Sequence, residues 1–578
     1  MIKLFRFLAP YKKRITLMLI FLFIQVLGTL YIPTLTASII NNGIIKGNLD
    51  YVWSMGGTML LVALFTAIVS IFGTYLSTYV STGIGRDIRG VLFRKTQNFS
   101  TNDFNKFGAA SLITRSTNDV TQIQQAFSIM VEMLLPAPIM TIAGLVLAFS
   151  KSRFLAFTIM GVMLVILLIT VIIGRKTIPV FEKLQTLMDN INRTVRENII
   201  GVRIIRAFNR TGYEKKRVDQ TFTDYADTAI KVNKIFAVLM PVIMVMMNLT
   251  TLLIVWMGGQ QVAIGKLEIG DIMAIIEYAM IILMYLIMGV AVFIMLPRAQ
   301  TCATRINAVL DLQPEFKKEM SVQNKTSSNQ NNVKAEFRHV TFRYEGAEED
   351  VLHDMNFTIK SGQTTAIIGG TGSGKSTIGS LLMRFYDIQS GSIFVDGKEI
   401  REYSEEKLRD RIGYVPQKAF LFSGTIADNL RHGKRNATVE EMHHAAQIAQ
   451  IDDFITGLDQ GLESFVSQGG NNFSGGQKQR LSIARAIIKK PDLYIFDDSF
   501  SALDFKTDAK LRAALKSEVA DSAVIIVAQR ISSIIDADQI IVLDEGRIVG
   551  KGIHKELLDN CMVYQQIATS QLSEEELE

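Results

Sequence analysis

The stretch Thr365 to Thr377, Thr-Ala-Ile-Ile-Gly-Gly-Thr-Gly-Ser-Gly-Lys-Ser-Thr, decides the fold of the C-terminal half of this chain. A short apolar, β-branched run gives way to a glycine-rich turn and then to helix-forming residues. That order is the strand-loop-helix setting of the G-x-x-x-x-G-K-[ST] phosphate loop. Gly369, Gly370, Gly372 and Gly374, with Thr371 and Ser373 between them, let backbone amides close around phosphate oxygens. Lys375 supplies positive charge for the β- and γ-phosphates, Ser376 is suited to ligate Mg²⁺, and Thr377 continues the helix that opens there. ATP and Mg²⁺ are therefore the expected ligands.

Working outward from this loop, the apolar run Leu493 to Phe496 ends in Asp497. A carboxylate at the tip of a buried strand is where a metal-binding residue is needed. Further β-branched runs, Ile393–Val395, Val524–Val527 and Ile540–Leu543, alternate with amphipathic helical patterns, which predicts an α/β cassette over residues 335–578. Before it, residues 316–334 include Ser-Val-Gln-Asn-Lys-Thr-Ser-Ser-Asn-Gln-Asn-Asn-Val, a polar run that cannot bury a core and is expected to be a linker.

Residues 1–315 read differently. Apolar runs lie near Ile15–Ile40, Trp53–Val80, Met130–Phe149, Phe154–Gly174, Ile235–Val262 and Ile272–Pro297. Each reaches the ~20 residues that cross ~30 Å of hydrocarbon, so six membrane-spanning helices are expected. The second and fourth connections are long and rich in Arg and Lys, for example Arg86, Arg89, Arg94 and Lys95, then Arg203, Arg206, Arg210 and Lys215. By the positive-inside rule these loops, the N-terminus and the cassette are cytoplasmic. Lys151 and Arg153 in the short third connection run against that rule. The long connections also carry helical periodicity, so the spans are expected to extend well below the bilayer.

A hydrophobic share of 48% agrees with a membrane protein. The formal net charge of +6 sits beside the apolar runs rather than on a separate basic face, which excludes nucleic acid as the partner. Cys302 and Cys561 offer no disulfide framework. The basic start followed by an apolar run of spanning length reads as a first span, not a cleaved leader.

Between the two phosphate-site segments lies Asn472-Phe473-Ser474-Gly475-Gly476-Gln477-Lys478-Gln479-Arg480. Here the chain resembles the ATP-binding cassette family, whose signature is L-S-G-G-Q, and six spans before the cassette resemble its type IV exporters. The resemblance implies an adenine-stacking role for Tyr344, a metal-contacting Q-loop role for Gln417, a D-loop role for Asp504 in Ser501–Asp504, and contact of Ser474, Gly475, Gly476 and Gln477 with ATP held by a partner's loop. It also implies that Ser376, Gln417 and Asp497 hold Mg²⁺, that two cassettes face head to tail, and that the location is a bacterial plasma membrane.

Two positions depart from the family. Asp498 stands where a Glu general base is usual, and Gln529 where the switch His is usual; the six histidines all lie elsewhere. Gln468 also stands where such exporters commonly place Glu. These departures resemble the degenerate-site subunit of a heterodimeric multidrug exporter, whose partner is a homologous half-transporter and whose cargo is a small amphipathic, drug-like or lipid-like compound. A homodimeric exporter with an atypical but active site, and an ATP-gated regulatory or channel subunit, stay open as alternatives.

Phe107–Asp119 and Asn198–Phe208 resemble the helices that couple spans to cassettes. Glu277 in the last span, and the methionine rows Met280, Met284, Met288 and Met240, Met244, Met247, are candidates for the transport path, with ordinary helix packing the competing reading.

Overall fold

Once lipid replaces water, an apolar stretch can satisfy its backbone only within itself, as a helix. The computed structural model describes residues 2–313 and 332–572, and its N-terminal part follows that rule. The long helices are α1 (Lys12–Ser38), α2 (Leu49–Thr96), α3 (Pro136–Lys151), α4 (Arg153–Ile200), α5 (Thr211–Ala263) and α6 (Ile269–Asp311). Among the described residues, six segments are long and apolar enough to span a membrane. At 48 residues, α2 and α4 are each about 72 Å long at 1.5 Å per residue, more than twice the hydrocarbon thickness, so much of each lies outside it.

The short connections are built from local caps. The Asn48 side chain accepts from the Tyr51 amide at the start of α2, and Ser152 accepts from the Leu155 amide at the start of α4. Lys151, the charge that runs against the positive-inside pattern, is paired with Asp271 at 2.8 Å. The opposing charge compensates locally for a cation on that side.

The chain divides into two compact units. The first comprises Met1–Asn98 with Gly108–Leu312, and the second Phe99–Phe107 with Gln313–Glu578. The short excursion Phe99–Phe107 therefore belongs with the cassette. Its helix Thr101–Phe107 opens with a reciprocal cap, in which the Asp103 amide donates to Ser100 Oγ and the Ser100 amide to the Asp103 carboxylate. Lys106 pairs with Glu345 at 3.2 Å, and the Asn105 side chain hydrogen-bonds Tyr386. The expected coupling segment Phe107–Asp119 is divided at this point, Phe107 belonging to this unit and Gly108–Asp119 to the other. Gly108, at φ +74, breaks the chain direction, and Ala109–Thr114 beyond it stays in the membrane unit. There Asp119 pairs with Arg305, and Arg115 donates to the Arg305 carbonyl.

In the second unit the strands are β1 (Val333–Phe342), β2 (Leu352–Lys360), β3 (Thr364–Gly369), β4 (Ser390–Val395), β5 (Lys398–Glu399), β6 (Ile412–Val415), β7 (Gly424–Thr425), β8 (Phe465–Val466), β9 (Leu493–Asp497), β10 (Ala523–Val527), β11 (Gln539–Asp544) and β12 (Arg547–Gly552). The larger sheet has the order β12-β11-β3-β10-β9-β6, parallel except for β12. Every residue of β9 and β10 is buried, as continuous apolar runs in a parallel sheet require. A second, antiparallel sheet has the order β2-β1-β4-β5. The run Ile393–Val395 thus joins a separate sheet rather than the α/β core. Of the expected linker, residues 314–331 lie outside the described residues, and Val333 and Lys334 already belong to β1.

Candidate functional site: the phosphate loop and its strand-end carboxylates

Parallel strands β3, β10 and β9 stand side by side, so residues leaving their C-terminal ends meet at one edge, where open α/β sheets place ligands. From β3 the chain enters the loop Gly370–Gly374 and then α7 (Lys375–Leu382). Two glycines there are indispensable. Gly374 caps α7 at φ +91, and a side chain at Gly369 would lie 2.1 Å from the Leu543 carbonyl oxygen.

Lys375 Nζ donates to the Gly369 carbonyl at 2.9 Å and the Gly370 carbonyl at 2.5 Å, so the ammonium lies against the loop it follows. Burial pulls its pKa below the ordinary lysine range, with Asp498 and Asp497 opposing the shift. Ser376 Oγ donates to Asp497 Oδ1 at 2.7 Å. Asp497 is 3% exposed, and burial raises its carboxyl while the hydrogen bonds from Ser376 and Tyr414 hold it down. A hydroxyl and a carboxylate thus converge beside a phosphate cradle, the hard-oxygen donor set that suits Mg²⁺. Tyr414, whose OH lies 3.4 Å from Asp497 Oδ2, is a neighbour that sequence reasoning missed. Its place at the end of β6, before Gln417, was the available signal.

Asp498 takes a left-handed turn at φ +48 directly after β9. Its Oδ2 accepts from Gln529 Nε2 at 2.8 Å and from Gln417 Nε2 at 3.1 Å. The two departures from the family pattern are therefore hydrogen-bonded to each other. Gln417, expected beside the metal, turns its amide nitrogen to Asp498, which leaves its amide oxygen available. Tyr344 OH meets Thr377 Oγ1 at 3.0 Å, which sets the ring beside the start of α7, edge-on to Phe342 and Tyr386.

Elsewhere in the cassette, Ser474 caps α8 (Gly475–Ile487). Ser474 Oγ accepts from the Gln477 amide, and Gln477 Oε1 accepts from the Ser474 amide at 2.8 Å. Gln477 is thereby committed to the cap. Ser474 and Gly475 are exposed at the positive end of the helix, where an anion is favoured. Asp504 caps α9 (Phe505–Glu518) by accepting from the Thr507 amide at 2.9 Å, and that bond lowers its pKa. Asp504 and the Ser474–Gln477 turn each cap a helix of their own, and among the described residues no hydrogen bond ties them to the phosphate loop.

Comparison with known proteins agrees with this geometry. Residues 15–286 match the family model described as ABC transporter transmembrane region, and residues 352–501 the one described as ABC transporter. An uncharacterized ABC transporter ATP-binding protein of Mycobacterium bovis is 39% identical over 98% of this chain and 97% of its own length. A fatty acid ABC transporter ATP-binding/permease protein of Mycobacterium tuberculosis is 33% identical over 79% of this chain and 71% of its own. Among solved structures, a bacterial Atm1-family ABC exporter with ATP bound superposes with a TM-score of 0.79 at 25% identity, covering 98% of this chain and 99% of that one.

Proposed function

This chain belongs to the ATP-binding cassette transporter family, as an exporter with membrane region and cassette fused in one polypeptide, and from that premise we propose that it is the slow-site half of a heterodimer. It is a multi-pass protein of the bacterial plasma membrane, and its cassette binds ATP with Mg²⁺ and couples hydrolysis to transport. The proposal concerns which site turns over and what is carried.

The observation that carries it is the Asp498 carboxylate held at Oδ2 by two side-chain amides. A general base must reach the water it deprotonates, and Asp is one methylene shorter than the usual Glu. Gln529 uses its amide nitrogen on that carboxylate, and a neutral amide cannot carry the extra proton that a His there could. Mg²⁺, when bound, supplies charge neutralisation at the β- and γ-oxygens. Ser376 and Asp497 would hold it, with the amide oxygen of Gln417 as a further donor. Lys375 and the loop amides position the phosphates; Ser474 and the amides of Gly475 and Gly476 are free to serve a partner's site.

The cargo we propose is an amphipathic, drug-like or lipid-like compound. The fatty acid named for one relative supports a lipidic class, and the exposed Met280 and Met284 on α6 are adaptable apolar surface. The test is the steady-state ATPase rate of the purified chain without a partner. Slow hydrolysis is expected, since every site it forms with itself contains Asp498 and Gln529. Turnover of roughly tens per second, an ordinary enzymic rate, would instead make it a homodimeric exporter with an adequate base.

A further inference from the structure

Within the membrane unit, α1, α2, α6 and the turn entering α3 line a cavity of about 220 Å³ that is open on one side. That is room for roughly seven waters at ~30 Å³ each, or for a small organic group. Gln25, Thr74, Ser77, Glu132 and Tyr285 give it a polar wall, set against methionine, leucine and valine. Arg14 lies one turn before Met18 on α1 and Arg86 follows Ser77 on α2, so the cavity sits at the depth of the cytoplasmic leaflet.

Three independent features point to a ligand. First, Glu132 is an acid at membrane depth on the exposed rim of this cavity, and among the described residues no cation or hydrogen-bond donor meets its carboxylate. Second, Ser77 is 1% exposed, lines the cavity, and its hydroxyl has no hydrogen-bond partner. Third, the backbone is opened at this point. Met130–Leu134 is a π-type turn in which the Leu135 amide reaches back to the Met130 carbonyl, and Pro136 has no N–H to offer the Glu132 carbonyl.

We propose that this cavity binds the protonated amine head of an amphipathic molecule. Glu132 supplies the opposite charge, the Ser77 hydroxyl and the Gln25 amide oxygen accept N–H bonds, and the apolar wall takes the body. A divalent metal is a poor occupant, because it demands several hard oxygen ligands and finds one carboxylate. The site lies inside one protomer, so it needs no partner to form. The assignment rests on the reading of this chain as an exporter of amphipathic compounds.

The test is equilibrium binding to the full-length chain in nucleotide-free lipid nanodiscs, with tetraphenylphosphonium and dodecylammonium as cationic probes and triphenylphosphine oxide as the neutral one. Glu132→Gln is expected to weaken both cations about tenfold, the scale of a lost charged contact, and to leave the neutral probe unchanged. Ser77→Phe, which fills the space, is expected to abolish binding of all three. If phosphatidylethanolamine in the disc, but not phosphatidylcholine, competes with the cations in the wild type, the natural occupant is a lipid amine; if neither competes, it is a drug-like amine. Absence of saturable cation binding to the wild type, or wild-type cation affinity in Glu132→Gln or Ser77→Phe, overturns the proposal. Because binding is read without ATP, a chain that binds these cations yet fails to move them with its partner would sink the export reading and leave the site standing.

Discussion

The chemistry of the cassette rests on a few side chains whose positions sequence fixes better than their partners. Gly369–Ser376 and Asp497 were legible because the phosphate loop and the buried strand-end acid are tied to backbone geometry, and Ser376 does meet Asp497 at 2.7 Å. Gln417 and Gln477 carried no such tie, since an amide side chain can turn either way. One holds Asp498 and the other a helix cap. Lys375→Ala removes the countercharge for the β- and γ-phosphates and should abolish labelling of this chain by a photoreactive ATP analogue; undiminished labelling would refute the loop assignment. Restoring Glu at 498 and His at 529 together should raise the ATPase rate of the chain alone by ~10²-fold or more, the worth of a positioned base. Either substitution singly should do less, because each leaves one member of the hydrogen-bonded pair in place.

At the level of elements, the six spans were readable because ~20 uninterrupted apolar residues leave the backbone one solution. The antiparallel strands were harder. β5, β7 and β8 are two residues each, too short to show a period, and β1 carries register shifts against β2 that break its alternation. The helix Thr101–Phe107 has a readable start, because Ser100-Thr101-Asn102-Asp103 is the pattern of a capping box. That cap gives a test. Asp103→Ala removes half of a reciprocal cap at a residue 1% exposed, and should cost about 1 kcal/mol of local stability. Because the helix packs within the cassette unit through Lys106 and Asn105, transport per ATP hydrolysed should fall more than ATP hydrolysis itself. Equal losses of dye efflux and phosphate release would show that this element contributes only stability.

For the whole molecule, the proposed division of labour makes damage asymmetric. A head-to-tail pair builds one site from this chain's phosphate loop, Asp498 and Gln529 with the partner's signature. The other site joins the partner's loop to Ser474, Gly475 and Gly476 of this chain. If the first site is already slow, Asp498→Asn removes little, and steady-state ATPase activity and dye efflux of the co-expressed pair should stay within about twofold of wild type, under ~0.5 kcal/mol in barrier height. Gly475→Asp acts on the second site. A side chain at Gly475 meets nothing within 4 Å, so the fold can accept it, and Gly475 is exposed at the positive end of α8. There a carboxylate would stand where the γ-phosphate must approach, and like charges repel across the dry interface of a closed dimer. Turnover should drop by ~10² or more, while this chain's own phosphate loop still labels with ATP analogue. The opposite pattern, with Asp498→Asn stopping turnover and Gly475→Asp sparing it, would place the working base in this chain and overturn the allocation of the two sites.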